Sequence, residues 1–326
     1  ADGETGWPAF RARARVSGLL VSLPFHIRHA TEDRFVDTLE QAHLQPASTA
    51  YLNTGALLAT IGYAHHVPSG TNSPMKSNQN RTPRLFLLDD LNKSLIDLNT
   101  QQAQYLRRVL RLRSGDSVVL FNGLGDERHA VVDTLARVGS KVRVTQAAEP
   151  LPESPLELSL LQAVAKGEAM DLIVQKATEL GVKTISPILT DFGVVRLDDT
   201  RAARRVDHWQ KIARSACEQC GRHCPPIINP PQGLPEALAN APSNSIRVTL
   251  HPNGPETLHH IALEASGASR LWLLVGPEGG LSRSELSQAD DAGFRRVSLG
   301  PRMLRTETAA LAACTLAQAL WGDLEA

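Results

Sequence analysis

Three turns rich in Gly and Pro stand near the C-terminus of this chain, at residues 251–255, 276–281 and 299–308. Each follows an apolar run that predicts a buried strand, and a helical stretch follows each turn. A single turn of this kind is more often an ordinary connection between a strand and a helix. Three at successive strand ends favour one small-molecule pocket, because open α/β sheets bind ligands at the carboxyl ends of their strands.

The predicted pocket is walled mainly by backbone. Gly276, Gly279 and Gly280 permit positive φ and a close approach of the main chain to a ligand. No G-x-G-x-x-G opens a helix after a first strand, and no turn carries the Lys-Ser/Thr pair of a P-loop. The ligand is therefore not expected to be held by phosphate groups.

Charged residues accompany the third turn. Arg302 and Arg305 lie within it, and Glu307 opens the helix that follows. Two arginines beside a backbone pocket suit an anionic partner or a negative charge that develops during a reaction. The plainer interpretation makes Arg305 a surface charge and Glu307 a first-turn acid that the helix dipole favours.

A group of cysteines and one histidine invites a metal interpretation. Cys217, Cys220, His223 and Cys224 form a crowded C-x2-C-x2-H-C pattern. A zinc site usually needs a second ligand pair elsewhere, for which the sequence offers only loose candidates. We therefore expect structural cysteines and no metal.

The elements before residue 150 predict a small, mostly β unit. A helix is expected over residues 101–112, and Asn122-Gly123 is a strong turn signal. This spacing is typical of a barrel-like module. Strands are expected at residues 85–88, 117–121, 128–135 and 141–145.

The elements after residue 155 alternate between strand and helix. Prolines at 150, 152 and 155 predict a stiff linker and a domain boundary before them. The alternation predicts an α/β domain whose mostly parallel sheet is covered by helices on both faces. Strands are expected at residues 156–164, 184–189, 246–250, 271–275 and 296–299, with helices over 168–180 and from 201 to 217 or beyond.

The helix of the β unit is basic. It carries Arg107, Arg108 and Arg111, and Arg113 follows. The spacing of Arg107 and Arg111 places them on one helix face. The usual explanation of such a run is a solvated face. In a small barrel beside an α/β domain that carries a predicted ligand pocket, contact with phosphate becomes the favoured interpretation.

Composition bounds the class of protein. The 326 residues predict about two domains, and 34 basic residues balance 34 acidic ones, so bulk charge indicates no polyanionic partner. Aromatic residues make up only 4%, which argues against a base-stacking platform. No apolar run approaches the roughly 20 residues of a membrane span. Four cysteines form no disulfide framework, so we expect a cytoplasmic protein.

The first 74 residues differ from the rest, and we assign them no fold. Met75 follows a polar segment, so one interpretation makes it the start of the functional protein and the upstream part an extension. A signal peptide is not expected, because the apolar stretch over residues 18–25 is short and no Met precedes it. Six acidic residues by position 40 argue against a transit peptide. We expect residues 1–80 to be a poorly ordered extension.

Several blocks together resemble a known family. Gly-Pro-Glu-Gly-Gly-Leu at 276–281 and Leu-Gly-Pro-Arg-Met-Leu-Arg-Thr-Glu-Thr-Ala at 299–309 resemble the RsmE family, the 16S ribosomal RNA uridine N3-methyltransferases of the SPOUT superfamily. Residues 106–112, 175–182 and 216–222 look like further family blocks. The resemblance implies a PUA-like RNA-binding barrel at 81–149, a linker at 150–155 and a trefoil-knotted methyltransferase domain at 156–326. Such a knot is an exception to the rule that chains do not thread loops.

The resemblance also implies a cofactor and its site. S-adenosylmethionine has an adenosine and a sulfonium but no pyrophosphate, which agrees with a pocket that lacks phosphate-binding side chains. Arg305 is the expected catalytic residue, stabilising charge on the uridine ring, and no side chain stands out as the general base. The residues predicted to hold the cofactor are Leu250, His251, Pro252, Gly276, Pro277, Glu278, Gly279, Gly280, Leu299, Gly300, Met303, Leu304 and Thr306.

The implied partners are 16S ribosomal RNA, or the small ribosomal subunit, and a second copy of the chain. Arg84 matches a basic position in the family's opening strand and joins Arg107, Arg108 and Arg111 as the predicted RNA-binding group. One turn departs from the family, because residues 190–193 lack the basic residue of its Ser/Thr-Glu-Arg-like turn.

Three rival functions stay open at this point. One is a SPOUT methyltransferase with another target, such as a ribose 2′-hydroxyl, although residues 304–308 are not the Asn/Ser-rich loop of those families. Another is a non-catalytic RNA-binding protein, which would lack a saturable cofactor site. The third is a nicotinamide enzyme, which the missing phosphate loop disfavours.

Overall fold

The computed structural model describes residues 10–16, 19–25, 82–193 and 198–324. The chain divides into two compact units, Ala1–Lys76 and Ser77–Ala326. In the first unit, β1 (Phe10–Val16) pairs antiparallel with β2 (Leu19–Phe25). We assigned no fold here, although the alternation of Arg and Ala over 11–15 has the period of a strand. The rest of the predicted extension lies outside the described residues.

The barrel module is a five-stranded sheet with the strand order β3-β5-β6-β7-β4. The predicted strands are present, and β4 is an addition whose three residues are too few to show a period. The core beneath the sheet contains Leu87, Leu106 and Leu120, all fully buried. The strands are β3 (Arg84–Phe86), β4 (Leu95–Asp97), β5 (Ser117–Phe121), β6 (Glu127–Thr134) and β7 (Lys141–Ala147).

The basic helix ends earlier than the sequence pattern predicts. A capped α-helix, α1 (Thr100–Gln104), continues as a π-helix over Tyr105–Val109. Arg111 then has φ 56°, and the Leu112 N–H donates to the Leu106 carbonyl at 2.9 Å. The helix therefore ends on a left-handed residue, and its closing bond spans one residue more than the corresponding bond of a Schellman motif. The prediction that Arg107 and Arg111 share one helix face is therefore wrong, because the helix stops before Arg111.

Within the described ranges, the part of the chain after residue 155 holds a seven-stranded sheet in which every pairing is parallel. Its main order is β10-β9-β8-β13-β12-β14, and β11 also pairs with β9. The predicted parallel α/β sheet is confirmed. The strands are β8 (Glu157–Ala163), β9 (Thr184–Leu189), β10 (Ile227–Ile228), β11 (Gln232–Gly233), β12 (Ile246–Leu250), β13 (Arg270–Val275) and β14 (Arg295–Val297).

Helices cover both faces of this sheet. Leu160 and Leu273 point into one apolar core, whereas their neighbours Leu161 and Leu274 point into another. Side chains that alternate between two cores are typical of a strand buried on both sides. The helices are α2 (Ala169–Glu179), α3 (Asp199–Cys220), α4 (Leu234–Ala239), α5 (Leu258–Glu264), α6 (Arg283–Asp291) and α7 (Thr306–Trp321).

The chain crosses itself closely beside the carboxyl ends of β12 and β14. The His251 N–H donates to the Val297 carbonyl at 2.9 Å, and the Ser298 N–H donates to the Glu256 carbonyl at 3.0 Å. Between these bonds, a Cβ on Gly254 would lie 2.5 Å from the Val297 carbonyl carbon. Only glycine fits so tight a crossing.

The last helix packs closely through small side chains. Ala310, Ala313 and Ala317 of α7 are fully buried, and α7 contacts α2. Alanine allows this close approach and favours the helix itself. Among the described helices, none is both long and apolar enough to span a membrane.

Candidate functional site

One cavity of about 480 Å³ opens where the three predicted turns meet, at the carboxyl ends of β12, β13 and β14. Parallel strands bring these turns to one edge of the sheet. Every residue predicted to hold the cofactor lines the cavity: Leu250, His251, Pro252, Gly276, Pro277, Glu278, Gly279, Gly280, Leu299, Gly300, Met303, Leu304 and Thr306. Arg302 and Arg305 line it as well.

Apolar side chains that we did not predict complete the cavity wall. Val275 and Val297 end the strands beneath it, Leu281 closes the second turn, and Ala309 lies one helical turn into α7. The sequence did contain a signal for Val275 and Val297, because the last residues of a strand must border the turn that follows it.

Thr306, the first residue of α7, ties the second and third turns to the sheet. Its side chain is 5% exposed, and its Oγ1 donates to the Gly276 carbonyl at 2.7 Å. The same oxygen accepts from Gln162 Nε2 at 3.0 Å, and Gln162 is fully buried on β8. One hydroxyl thus connects β8, the turn after β13 and the last helix.

Replacing Thr306 with Val should weaken cofactor binding. The methyl group keeps the volume, but the Gly276 carbonyl loses its donor and the buried Gln162 amide keeps only one of its two acceptors, the Ala163 carbonyl. Unsatisfied buried groups of this kind cost about 1–3 kcal/mol each. Calorimetry should show weaker S-adenosylmethionine binding and a lower melting temperature. The Thr306→Ser variant keeps the hydroxyl and should behave like the parent; equal losses in both variants would contradict this role.

The second turn packs against residues 190–193. A Cβ on Gly279 would lie 3.1 Å from the Cβ of Phe192. We expected the missing side chain at Gly279 to let the main chain approach a ligand. In the direction of its Cβ, the main chain instead lies against Phe192. The Asp191 N–H donates to Glu285 at 2.8 Å, and Ser282 donates to the Asp191 carboxylate at 2.6 Å. These bonds hold the 190–193 turn in place.

Arg305 is the N-cap residue of α7, where its side chain is exposed and lines the cavity. It forms no ion pair with Glu307 or with any other residue that the structure describes. The alternative interpretation as a structural ion-pair partner therefore has no contact behind it. A free guanidinium at the rim of the cavity is able to meet a negative charge on a ligand.

Arg84 is not placed as predicted. Its guanidinium is 7% exposed and donates to both carboxylate oxygens of Glu127, at 2.6 and 3.0 Å. It also donates to the Arg222 carbonyl at 3.1 Å and stacks over the Phe121 ring at 4.7 Å. A guanidinium that is buried and paired in this way cannot also meet RNA, so the predicted RNA contact of Arg84 is wrong. Arg84 instead joins the barrel to the end of α3.

The other three predicted RNA-binding residues lie on the surface. Arg107, Arg108 and Arg111 are all exposed, and none takes part in an ion pair among the residues with described positions. They come from the π-helix and from the left-handed residue after it. These exposed arginines therefore belong to an irregular helix end rather than to one helix face.

The cysteine group is partly a packing cluster. Cys217 and Cys220 share a hydrogen bond that raises the pKa of Cys217 and lowers that of Cys220 to about 6. Potential ligand atoms of Glu153, His223 and Cys224 lie within 4.8 Å of one another. Arg222 binds that glutamate at 2.7 Å, and a guanidinium so close opposes a cation. The absence of a metal here stays a prediction.

Comparison with known families gives two matches. A family model described as an RNA methyltransferase domain matches residues 152–318. A second, described as an RNA methyltransferase PUA domain, matches residues 98–134. The first covers the parallel sheet and its three turns, and the second lies within the barrel module.

Individual relatives have similar names. The ribosomal RNA small subunit methyltransferase E of Buchnera aphidicola subsp. Schizaphis graminum is 31% identical over 75% of this chain and 98% of its own length. The Neisseria gonorrhoeae protein of that name, solved bound to S-adenosyl methionine, is 36% identical with a TM-score of 0.69, over 75% of this chain and all of that one. A putative methyltransferase from Legionella pneumophila, in complex with the bound cofactor SAM, is 35% identical with a TM-score of 0.70, over the same shares.

Proposed function

This chain belongs to the ribosomal RNA small subunit methyltransferase E family, and from that membership we propose that it methylates N3 of a uridine in 16S ribosomal RNA. It is an S-adenosylmethionine-dependent rRNA methyltransferase, with a knotted SPOUT domain and a PUA-like barrel. The observation that carries the finer proposal is the exposed Arg305, which pairs with no acid among the residues that the structure describes, on the rim of the cavity that the three turns build.

The cavity fits S-adenosylmethionine. Its volume lies in the range of small-molecule sites, roughly 300–1,000 Å³. Leu250, Leu299 and Leu304 offer apolar surface to an adenosine, and the turns offer backbone groups to its polar edges. Gly280 and Gly300 have φ of 75° and 102°, conformations in which side chains are strained. We propose that the residues predicted for the cofactor hold it here.

Catalysis then follows from position and charge. The bound cofactor supplies a methyl group that is electrophilic because it is carried by a sulfonium. The three turns fix its orientation, and holding two reactants in line accounts for a large part of such rate enhancements. Uridine N3 would first lose its proton to water, which leaves negative charge shared by N3, O2 and O4. The N3 lone pair would then take the methyl group while the S–CH3 bond breaks and its electron pair returns to sulfur, leaving a neutral thioether. We propose that Arg305 stabilises that charge.

Several finer properties belong to the same proposal. Arg107, Arg108 and Arg111 would dock the RNA backbone. The boundary between the barrel and the methyltransferase domain would lie at residues 150–155.

Leu172 of α2 and Leu316 of α7 are 40% and 45% exposed on adjoining helices, which favours a homodimer through this face. Sedimentation of the purified chain tests whether it is a dimer. We also propose that the protein acts in the cytoplasm, where ribosomes are assembled.

Nucleoside mass spectrometry tests the methylated atom. The purified chain is incubated with S-adenosylmethionine and small ribosomal subunits from a strain that lacks the enzyme, and the RNA is digested to nucleosides. We expect 3-methyluridine to appear only when cofactor and active chain are both present. A 2′-O-methyl nucleoside, or saturable RNA binding with no methyl transfer, would overturn the proposal.

Removing charge from the barrel should weaken RNA binding. The Arg107→Gln/Arg111→Gln variant loses two exposed guanidinium groups, so its RNA affinity should fall and its salt slope should flatten by about 1 per lost contact. Cofactor affinity should not change, because the barrel contributes nothing to the cavity lining. The matched control is Lys141→Gln/Arg143→Gln, since both are barrel cations that are already paired, Lys141 with Asp97 at 3.3 Å and Arg143 with Asp133. An equal salt slope in variant and parent would count against these arginines.

A further inference from the structure

A second cleft, of about 290 Å³, lies between α3 and the loop that connects β8 to α2. Nothing in the function derived so far uses it. Its floor includes the indole of Trp209, which is 1% exposed and therefore fixed in position. The lining residues are Gly167, Asp171, Arg204, Arg205, His208 and Trp209.

The acidic residue of this cleft has hydrogen-bond partners, whereas its two arginines have no ion-pair partner among the described residues. Trp209 Nε1 donates to one carboxylate oxygen of Asp171 at 3.1 Å, and His208 Nε2 lies 2.8 Å from the other. The single acid of the lining is thereby engaged by neutral or cationic partners. Arg204 and Arg205 form no ion pair with any residue described in the structure. The cleft therefore presents two uncommitted guanidinium groups.

The other cations of α3 make the contrast clear. Arg201 pairs with Asp198 at 3.3 Å, and Lys211 pairs with Asp207 at 2.7 Å. Cations at either end of this stretch thus have acidic neighbours within one helical turn. Among the basic residues described on this helix between 201 and 211, only the pair that faces the cleft makes no ion pair, because Lys211 already holds Asp207, the acid three residues after Arg204.

The cleft adjoins the cofactor cavity through one loop. The Lys166 N–H donates to Glu278 Oε1 at 3.3 Å, and Glu278 lines the cavity. Gly167, the next residue, lines the cleft. Nothing lies within 4 Å of the position that a Cβ on Gly167 would take, so the space above this loop is open. A polyanion that reaches the cavity from this side passes over the two arginines.

We propose that this cleft binds a phosphodiester of the substrate RNA next to the nucleotide that enters the cavity. Guanidinium groups bind phosphate oxygens through two parallel hydrogen bonds, which fixes position as well as charge. The cleft would hold the RNA on the methyltransferase domain itself, separately from the barrel. The inference rests on the proposed function, because it takes RNA as the substrate.

Two matched double variants test the cleft. Arg204→Gln/Arg205→Gln removes the unpaired cations, and Arg201→Gln/Lys211→Gln removes the same charge from paired positions on the same helix. RNA binding is titrated over a range of salt concentrations. We expect the first variant to lose about tenfold or more in affinity and to flatten the salt slope by about 1 per lost contact, and the second to remain near the parent.

Kinetics supply a second measurement. With the first variant, KM for RNA should rise while kcat at saturating RNA and the affinity for S-adenosylmethionine stay near those of the parent. Identical salt slopes in the two double variants would overturn the cleft. Failure of the proposed function would give a different result. The unmodified chain would then methylate another atom, while the difference in RNA binding between the two double variants would persist.

Discussion

Arg305→Ala should lower the rate of methyl transfer by about 10²-fold or more, as the loss of an oxyanion-type donor does. Arg305 lies between the cofactor cavity and the first turn of α7, and its guanidinium is exposed and unpaired within the described ranges. Its charge is most useful when negative charge appears on the uridine ring. Cofactor and RNA affinities should therefore change far less than turnover.

Single-turnover kinetics with saturating cofactor and RNA measure this effect directly. Melting temperature must be unchanged for the comparison to be valid, and the exposed position predicts that it is. Arg305→Lys retains the charge but loses the planar pair of donors, so it should recover part of the rate. A near-normal rate for a folded Arg305→Ala protein would remove this residue from the mechanism.

The sequence predicts the parallel sheet well because burial on both faces leaves a clear signal. The apolar run in β13 is continuous, and within β8 only the single polar residues Ser159 and Gln162 interrupt the apolar positions after Glu157. The ends of both strands fall within one or two residues of the prediction. The position of the ligand pocket could be predicted equally well, since parallel strands must bring the turns at their carboxyl ends to one edge of the sheet. This is why one cavity gathers all the residues predicted for the cofactor.

The errors concern partners that lie far away in the sequence. Arg84 reads as a free cation until Glu127, 43 residues later, and the end of α3 enclose it. The bond between Gln162 and Thr306 spans 144 residues, and no local pattern indicates it. The early end of the basic helix depends on Arg111 adopting a left-handed backbone, which non-glycine residues seldom do.

The close crossing of the chain at Gly254 should be the most sensitive point of the methyltransferase domain. A Cβ there would lie 2.5 Å from the carbonyl carbon of Val297, and 2.7 Å from the nitrogens of Val297 and Ser298. These are backbone atoms, which the hydrogen bonds of His251 and Ser298 hold in place, so no side chain can swing aside. The crossing strands lead directly into two walls of the cofactor cavity.

Gly254→Ala should therefore lower the free energy of unfolding by about 3 kcal/mol, the upper end of ordinary overpacking. For a domain of this size, that corresponds to a fall in Tm of roughly 6–12 °C. Cofactor affinity should fall with it, because the turns after β12 and β14 are forced apart. Gly267→Ala is the matched control, since a Cβ at that exposed position meets nothing within 4 Å. Thermal unfolding and calorimetry of the two variants decide the matter: equal Tm values would mean that the crossing yields without cost and does not define the cavity.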